Sequence, residues 1–550
     1  MIDSISVSAA GPRISRPTLV TVVWLCLFAL VSIGAIALRL GNREVAWRTP
    51  DERVYMDYAK QVARSGIQGV RALVESYNKD KQQWIYPPPV RVGHIYLVAG
   101  VMKLSGASAE QAAVSVSSTF SILGFVVVAL LGLRFFNRWA VLIGLALLSV
   151  SPIDLAIARR AWQDSVWGCI GLFLFYLCME ASVSSRPKFW RICFWVVAAY
   201  FLVIKESALV VYGLCTLWLV GSAWLQERSL QKGFRIAIMS ALVAAASFAA
   251  LAWCSGGAGP LVETIRHTVE AREWNQYGHQ YQRGPWHSFL TGFWVMSPIT
   301  ALLAIVGIAT MTGPRNSRLG LLTLDPRQRQ IGWAMVYLIS TLVFALTVAA
   351  DLKNLRYVTI LLGPCCLLSG LGMVHLLVLA KSNLTISGYR STVCAAVLIL
   401  GLTCLTDYRR FERVFVRYAL DDLAIVRVIN YALAAGSNAD KAPLEVMASS
   451  EISAAGPPVS RLPGTPESYL ALSLQFYREG RYFESVVASR LALDLRPGYA
   501  EAWNNIGAAY NQLGRYDEAA AACEQALRYK PDFDLARNNL EYARMKRLGH

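Results

Sequence analysis

Val92-Gly93-His94-Ile95-Tyr96-Leu97-Val98-Ala99-Gly100-Val101-Met102-Lys103-Leu104 is the stretch on which the topology turns. It is apolar, but at 13 residues, with His94 and Lys103 among them, it is too short for a spanning helix, which needs roughly 20. It is therefore read as a shallow interfacial helix inside one outer loop, 40–110, and not as a crossing. Upstream, Arg13 and Arg16 hold the N-terminus in the cytoplasm, and Pro17 to Arg39 reads as an uncleaved first span because no small-residue cleavage site is evident. Downstream, spans at 111–133 and 139–157 run inward to Arg134 and out again. That count brings Asp164 to the same face as Asp51. Counting Val92–Leu104 as a crossing would separate the two acids and strand Arg134 and Arg138 outside, against the positive-inside rule.

The same arithmetic places spans at 165–181, 190–204, 207–225, 236–254, 291–311, 331–350, 357–380 and 391–406, eleven in all. A second outer loop, 255–290, carries Trp274, Tyr277, His279, Tyr281, Arg283, Trp286 and His287. The C-terminus then falls outside with the first loop, although Arg409, Arg410, Arg413 and Arg417 pull the other way. A 550-residue chain that is 55% hydrophobic, with mean hydropathy +0.41, is a polytopic membrane protein. Its net charge of +17 does not mark a nucleic-acid binder, because Arg186, Lys188, Arg191, Arg228, Lys232, Arg235, Arg315, Arg318, Arg327 and Arg329 sit in short loops between spans. The eleven cysteines lie mostly in apolar runs without CxxC or histidine spacing, so neither a disulfide framework nor a zinc site is indicated.

Just past the first span comes Trp47-Arg48-Thr49-Pro50-Asp51-Glu52-Arg53-Val54-Tyr55. Thr49-Pro50-Asp51-Glu52 fits a capping box, with Thr49 as N-cap, Pro50 at the first helical position and Glu52 folding back to the cap amide. Val54, Tyr58 and Val62 then recur at the spacing of an amphipathic helix. Capping accounts for Glu52; it leaves Asp51 free for chemistry.

From 434 to 466 the composition shifts to Ala, Ser, Gly and Pro, a linker signature that closes a membrane domain of residues 1–433. Beyond it, in 467–550, Gly480-Arg481-Tyr482 recurs as Gly514-Arg515-Tyr516 and Pro497 as Pro531, each offset by 34. Trp503, Ile506, Gly507, Tyr510, Ala519, Ala526 and Pro531 match the frame of a tetratricopeptide helix pair, and Tyr469, Leu472, Phe476, Ser485, Ala492 and Pro497 form a looser first copy. Residues 535–548 read as the solvating end helix. Two repeats are few for independent stability, so packing on the membrane domain or on a protein partner is expected.

Several segments together resemble the C-type integral-membrane glycosyltransferases, the family of the protein O-mannosyltransferases and the aminoarabinose transferases. Pro50-Asp51-Glu52-x-x-Tyr55 looks like its first-loop acidic motif, and Tyr86-Pro87-Pro88 like its Tyr-Pro-Pro segment. Ser151-Pro152 with Ala158-Arg159-Arg160-Ala161-Trp162-Gln163-Asp164 resembles its Ser-Pro and Ser-Arg-x-Ala-Arg-x-Asp pattern. Lys205-Glu206-Ser207, Gly284-Pro285-Trp286, Ser297-Pro298, Asn354-Leu355-Arg356-Tyr357 and Pro364 match further positions. The resemblance covers about 20 to 380. The chain departs from it at Ala158, where the family often has Ser, and at Trp162-Gln163, where Arg and Pro are common.

The resemblance implies an all-α bundle of about eleven membrane helices and transfer of a sugar from a polyprenyl-phosphate donor to an acceptor on the outer, periplasmic side of a bacterial inner membrane. Asp51 would be the general base and Asp164 the second acid, with Glu52 beside them. Such a donor leaves as a stable anion, so cations to hold its charge matter more than a strong acid. Lys205 and Arg356 are the expected phosphate ligands, backed by Arg159, Arg91 and His94, with Tyr357 also at the phosphate; interfacial snorkelling is the competing account of the cations. Some members use a metal between acids, but no His, Asp or Glu spacing here demands one, and no cofactor is expected. The rival classes are a transporter or flippase of a lipid-linked saccharide, which would carry ionisable groups at mid-span, and a non-catalytic scaffold acting through its repeats.

Overall fold

The computed structural model describes residues 19–41, 45, 48–225, 228–273, 275, 282–311, 324–349, 353–417, 423–426, 428–429, 465–480 and 482–547. Trp47, Trp274, Tyr277, His279, Tyr281 and all but the last two residues of the expected linker lie outside them. Among the described residues the regular structure is helical throughout.

After the first span, α1 (Leu19–Gly41), the first loop opens with α2 (Pro50–Lys79). α2 starts as the sequence requires: the Glu52 carboxylate accepts from Thr49 N at 2.7 Å while Thr49 Oγ1 accepts from Glu52 N. Next comes α3 (Val92–Ser105), and both its ends are tied to one face. Arg91, just before it, binds Glu206 at 2.9 Å. Glu110, just after it, pairs at 2.8 Å with Arg48 at the head of α2. The short apolar helix does not cross.

α4 (Ala109–Phe135) does cross, and the return is made by α5 (Arg138–Ser149) and α6 (Pro152–Ala158), bent by 56° at Ser151-Pro152. A break in a helix leaves carbonyls without helical partners. Arg39, from the end of α1, serves that end: it donates to Ser149 O at 3.3 Å and to Leu148 O at 3.2 Å, which Ser151 N also reaches. Its charge is met at 2.5 Å by Asp154 of α6, which also accepts from Ser121 of α4. Removing one partner of a buried ion pair typically costs about 3–5 kcal/mol, because the other charge is left unpaired. Arg39→Ala is expected to lose stability on that scale in denaturant unfolding in detergent, with the double variant R39M/D154L recovering most of it.

α7 (Asp164–Val183) runs from Asp164 to Glu180, which takes Arg134 from the far end of α4 at 2.6 Å. The next helix, α8 (Pro187–Phe201), has only 15 residues. It nevertheless returns along α7, because Lys205 just beyond it reaches Asp164 at 2.7 Å. α9 (Ala208–Leu225) and α10 (Leu230–Cys254) follow. Beyond α10 the chain forms α11 (Ala258–Glu270), docked on the first loop where Thr264 bonds Asn78 at 2.8 Å and His267 stacks on Trp84 at 3.6 Å.

α12 (Ser288–Met296) and α13 (Pro298–Ala309) are bent by 115° at Ser297-Pro298, and α14 (Pro326–Ala349), α15 (Thr359–Asn383) and α16 (Ile386–Phe411) complete the bundle. Among the described residues eight helices qualify as crossings by length and composition, ten with the two bent pairs; α8 is the remaining member of the eleven expected from sequence. α15 lies at the centre. A Cβ on Gly370 would stand 1.9 Å from Ala140 O of α5, and one on Gly372 2.1 Å from Leu303 O of α13, so these small residues let three backbones touch. Beyond α16 the chain is back on the Asp51 side, where Phe415 O accepts from Arg159 at 3.1 Å.

The C-terminal part is two helix pairs and an end helix: α17 (Pro466–Arg478), α18 (Tyr482–Leu495), α19 (Ala500–Gln512), α20 (Tyr516–Tyr529) and α21 (Asp534–Arg547). The first turn of α20 rests on the first turn of α2, with Arg53 paired to Glu518 at 2.5 Å and to Asp517 at 3.3 Å. The repeats and Asp51 therefore share one side of the bundle.

Candidate active site

Four chain segments deliver one charged cluster. Asp51 comes from the first turn of α2, left free by the capping box. Arg356 comes from a 3-10 turn, Leu355–Val358, that Asn354 caps by accepting from Arg356 N at 3.1 Å. That turn is held from behind by the tail beyond α16, as Leu355 N donates to Leu423 O at 2.9 Å and Ile425 N to Lys353 O at 3.2 Å. Asp164 opens α7, and Lys205 follows α8.

The Arg356 guanidinium lies between the two acids, 2.9 Å from Asp51 Oδ2 and 4.0 Å from Asp164 Oδ2. Lys205 Nζ is 2.7 Å from Asp164 Oδ1. Aromatic faces back both cations: Lys205 sits 4.6 Å from the Tyr357 ring and 5.6 Å from Trp167, and Arg356 5.3 Å from Trp162 and 5.8 Å from Tyr357. The two acids differ in setting. Asp51 exposes 28% of its side chain and Asp164 only 2%, so solvent reaches one acid while the other is sealed under its cations.

At the rim, Arg91 grips Glu206 at 2.9 Å and donates to Tyr55 Oη at 2.6 Å. Burial alone would lower the Arg91 pKa, but Glu206 and Tyr55 outweigh it and hold the group firmly cationic. Burial likewise pushes the Tyr55 phenol above its ordinary range, keeping it protonated. Arg91, Lys205 and Arg356 thus stand against Asp51, Asp164 and Glu206, and the cluster is balanced before any ligand arrives. Arg356 Nε is buried without a hydrogen-bond partner among the described residues and faces Asp164 Oδ2 at 4.0 Å.

Three sequence-based expectations are corrected. Glu52 does not face the hollow. It is fully buried, and its oxygens are consumed by Thr49 N, Arg48, Arg160 at 2.5 Å and Ala161 N at 2.6 Å. This residue is the joint between the first loop and the α6–α7 connection, not a second catalytic acid. Arg159 points to the tail instead, donating to Phe415 O and lying 5.9 Å from the Phe411 ring. His94 is no cation: burial pulls its pKa from 6.5 to about 4. As pH falls from 6.5 towards 4, the unfolded chain takes a proton that folded His94 refuses, so this residue costs stability in that window and contributes nothing above it. His94→Phe is expected to flatten the acid limb of an unfolding-midpoint profile between those values.

Glu206 and Tyr55 lie in the motifs Lys205-Glu206-Ser207 and Pro50-Asp51-Glu52-x-x-Tyr55, which alone assign them no role. Trp162, a departure from the family pattern, carries the guanidinium groups of Arg160 and Arg356 5.2 and 5.3 Å from its ring. Among the described residues no three His, Cys, Asp or Glu side chains converge on a metal position. A cation bridging Asp51 and Asp164 would have to displace Arg356.

Residues 500–533 match the tetratricopeptide repeat family model. No curated protein matches the sequence. Among solved structures the chain is similar to ArnT from Cupriavidus metallidurans in the apo state, at 13% identity and a TM-score of 0.45, covering 92% of this chain and 80% of that one. The same protein bound to undecaprenyl phosphate gives 14% identity, a TM-score of 0.46 and coverage of 91% and 80%. The apo oligosaccharyltransferase of Archaeoglobus fulgidus gives 11% identity, a TM-score of 0.49 and coverage of 80% of this chain and 61% of that one.

Proposed function

We propose that the chain is an inverting membrane glycosyltransferase that moves a sugar from a polyprenyl-phosphate donor to an acceptor on the outer, periplasmic side of a bacterial inner membrane. The observation that carries this is the Arg356 guanidinium lying between a solvent-reached acid, Asp51, and a sealed one, Asp164, with Lys205 beside it. Asp51 accepts the proton of the attacking acceptor group as that group bonds to the anomeric carbon. The bond from that carbon to the phosphate oxygen breaks on the opposite face, so the configuration inverts.

The departing phosphate needs no proton, because it leaves as a stable anion. Its charge is met by Arg356 and by Lys205; such aimed cations are worth most in a site that excludes water. Asp164 keeps both cations in position, and Arg91 completes the basic rim. The tetratricopeptide part, on the same side as Asp51, recruits a protein partner or an acceptor.

The test compares envelope glycoconjugates by mass spectrometry in cells with and without the chain. Loss of one sugar substituent is expected. Unchanged glycoconjugates, together with no turnover of polyprenyl-phosphate sugars by the purified protein, would overturn the proposal.

A further inference from the structure

We infer that His94, at the head of α3, binds hydroxyl groups of the donor's sugar; the inference rests on the transferase reading above. Both ring nitrogens of His94 are buried without a hydrogen-bond partner among the described residues, and the side chain is fully enclosed. Buried polar atoms are nearly always paired, so two orphans on one ring call for a ligand. The ring is not loose. It packs edge-on to Tyr55 at 5.2 Å and 84°, and its neighbour Gly93 donates to Val203 O at 2.9 Å and accepts from Tyr200 Oη at 3.0 Å. These bonds fix the head of α3 to the loop that carries Lys205.

Two features choose the ligand. Burial keeps the ring neutral, so it offers one donor and one acceptor. A phosphate oxygen uses only the donor and is repelled by the acceptor lone pair, whereas a sugar hydroxyl, or a neighbouring pair of them, uses both. The contacts around the ring tie it to the cluster: Tyr55, against which it packs, bonds Arg91, and Gly93 beside it bonds the loop that carries Lys205. His94 is thereby fixed beside the loop of Lys205, the cation read above as a ligand of the donor phosphate.

The test is direct binding of bare polyprenyl phosphate and of polyprenyl-phosphate mannose, glucose and arabinose to the full-length protein in detergent. The wild type should bind at least one sugar-bearing lipid about tenfold or more tighter than the bare one, a gain that fits one well-formed hydrogen-bonded contact. His94→Phe, which keeps the ring against Tyr55 but removes both nitrogens, should erase that gain and leave affinity for bare polyprenyl phosphate and KM for the acceptor unchanged. His94→Gln, which restores a donor and an acceptor, should recover part of it. Thermal unfolding shows whether the variants fold; His94→Phe should be at least as stable as the wild type, because it removes two unpaired buried atoms. An unchanged sugar gain in folded His94→Phe, or no gain in the wild type, overturns the inference. Failure of the wild type to bind even bare polyprenyl phosphate would instead sink the transferase reading.

Discussion

Asp51→Asn is expected to lower turnover by about 10²–10⁴-fold, the range a positioned general base contributes, while donor affinity stays within about threefold of wild type. The split follows from the geometry. An asparagine oxygen can still accept from Arg356, which lies 2.9 Å from Asp51 Oδ2, so the guanidinium keeps its place and the donor its cation. What the amide cannot do is take a proton from the acceptor. Folding should be little affected, because Asp51 takes no part in the capping box, which runs through Thr49 and Glu52. The measurement is single-turnover transfer with the donor pre-bound, alongside donor titration. A variant that keeps a third or more of the wild-type rate would remove Asp51 from the chemistry. One that loses donor binding in step with rate would make it a structural acid.

The shared face of Asp51 and Asp164 was legible in the sequence, because it depends on a rule that charge enforces: basic loops stay inside. Helix α3 was legible by length alone, and the repeats by their fixed offset. Other features depend on contacts between distant parts of the chain. Glu52 has a complete local explanation in its capping box, and nothing nearby in sequence announces that Arg160 and Ala161 N also need its oxygens. His94 looked like a candidate cation because composition does not say how deeply a ring is enclosed.

The bends at Ser151-Pro152 and Ser297-Pro298 were written in the sequence as prolines, but a hydropathy count runs straight through them. The same limit hides Arg39. It reads as a flanking charge at the end of a span, and only the bend creates the open carbonyls it serves. Gly370 and Gly372 needed their partner backbones before their size meant anything.

Arg356→Ala should cost about 10²–10³-fold in kcat, the usual loss when one aimed donor to a developing anion is removed, and should also weaken donor binding, which Asp51→Asn should not. Lysine is expected to rescue it poorly. An ammonium is a point charge and cannot repeat the planar fork that contacts one acid at 2.9 Å and approaches the other at 4.0 Å. The double variant R356A/D51N carries the argument further. If Arg356 also works by holding Asp51 in register, part of its loss is already contained in the loss of Asp51, and the combined effect must fall well short of the product of the single effects. If it serves only the phosphate, the two losses multiply. A rate for the double variant equal to that product would therefore leave Arg356 as a phosphate ligand but deny it any role in aiming the base. A rate close to that of Asp51→Asn alone would show that the guanidinium acts chiefly through the carboxylate it touches.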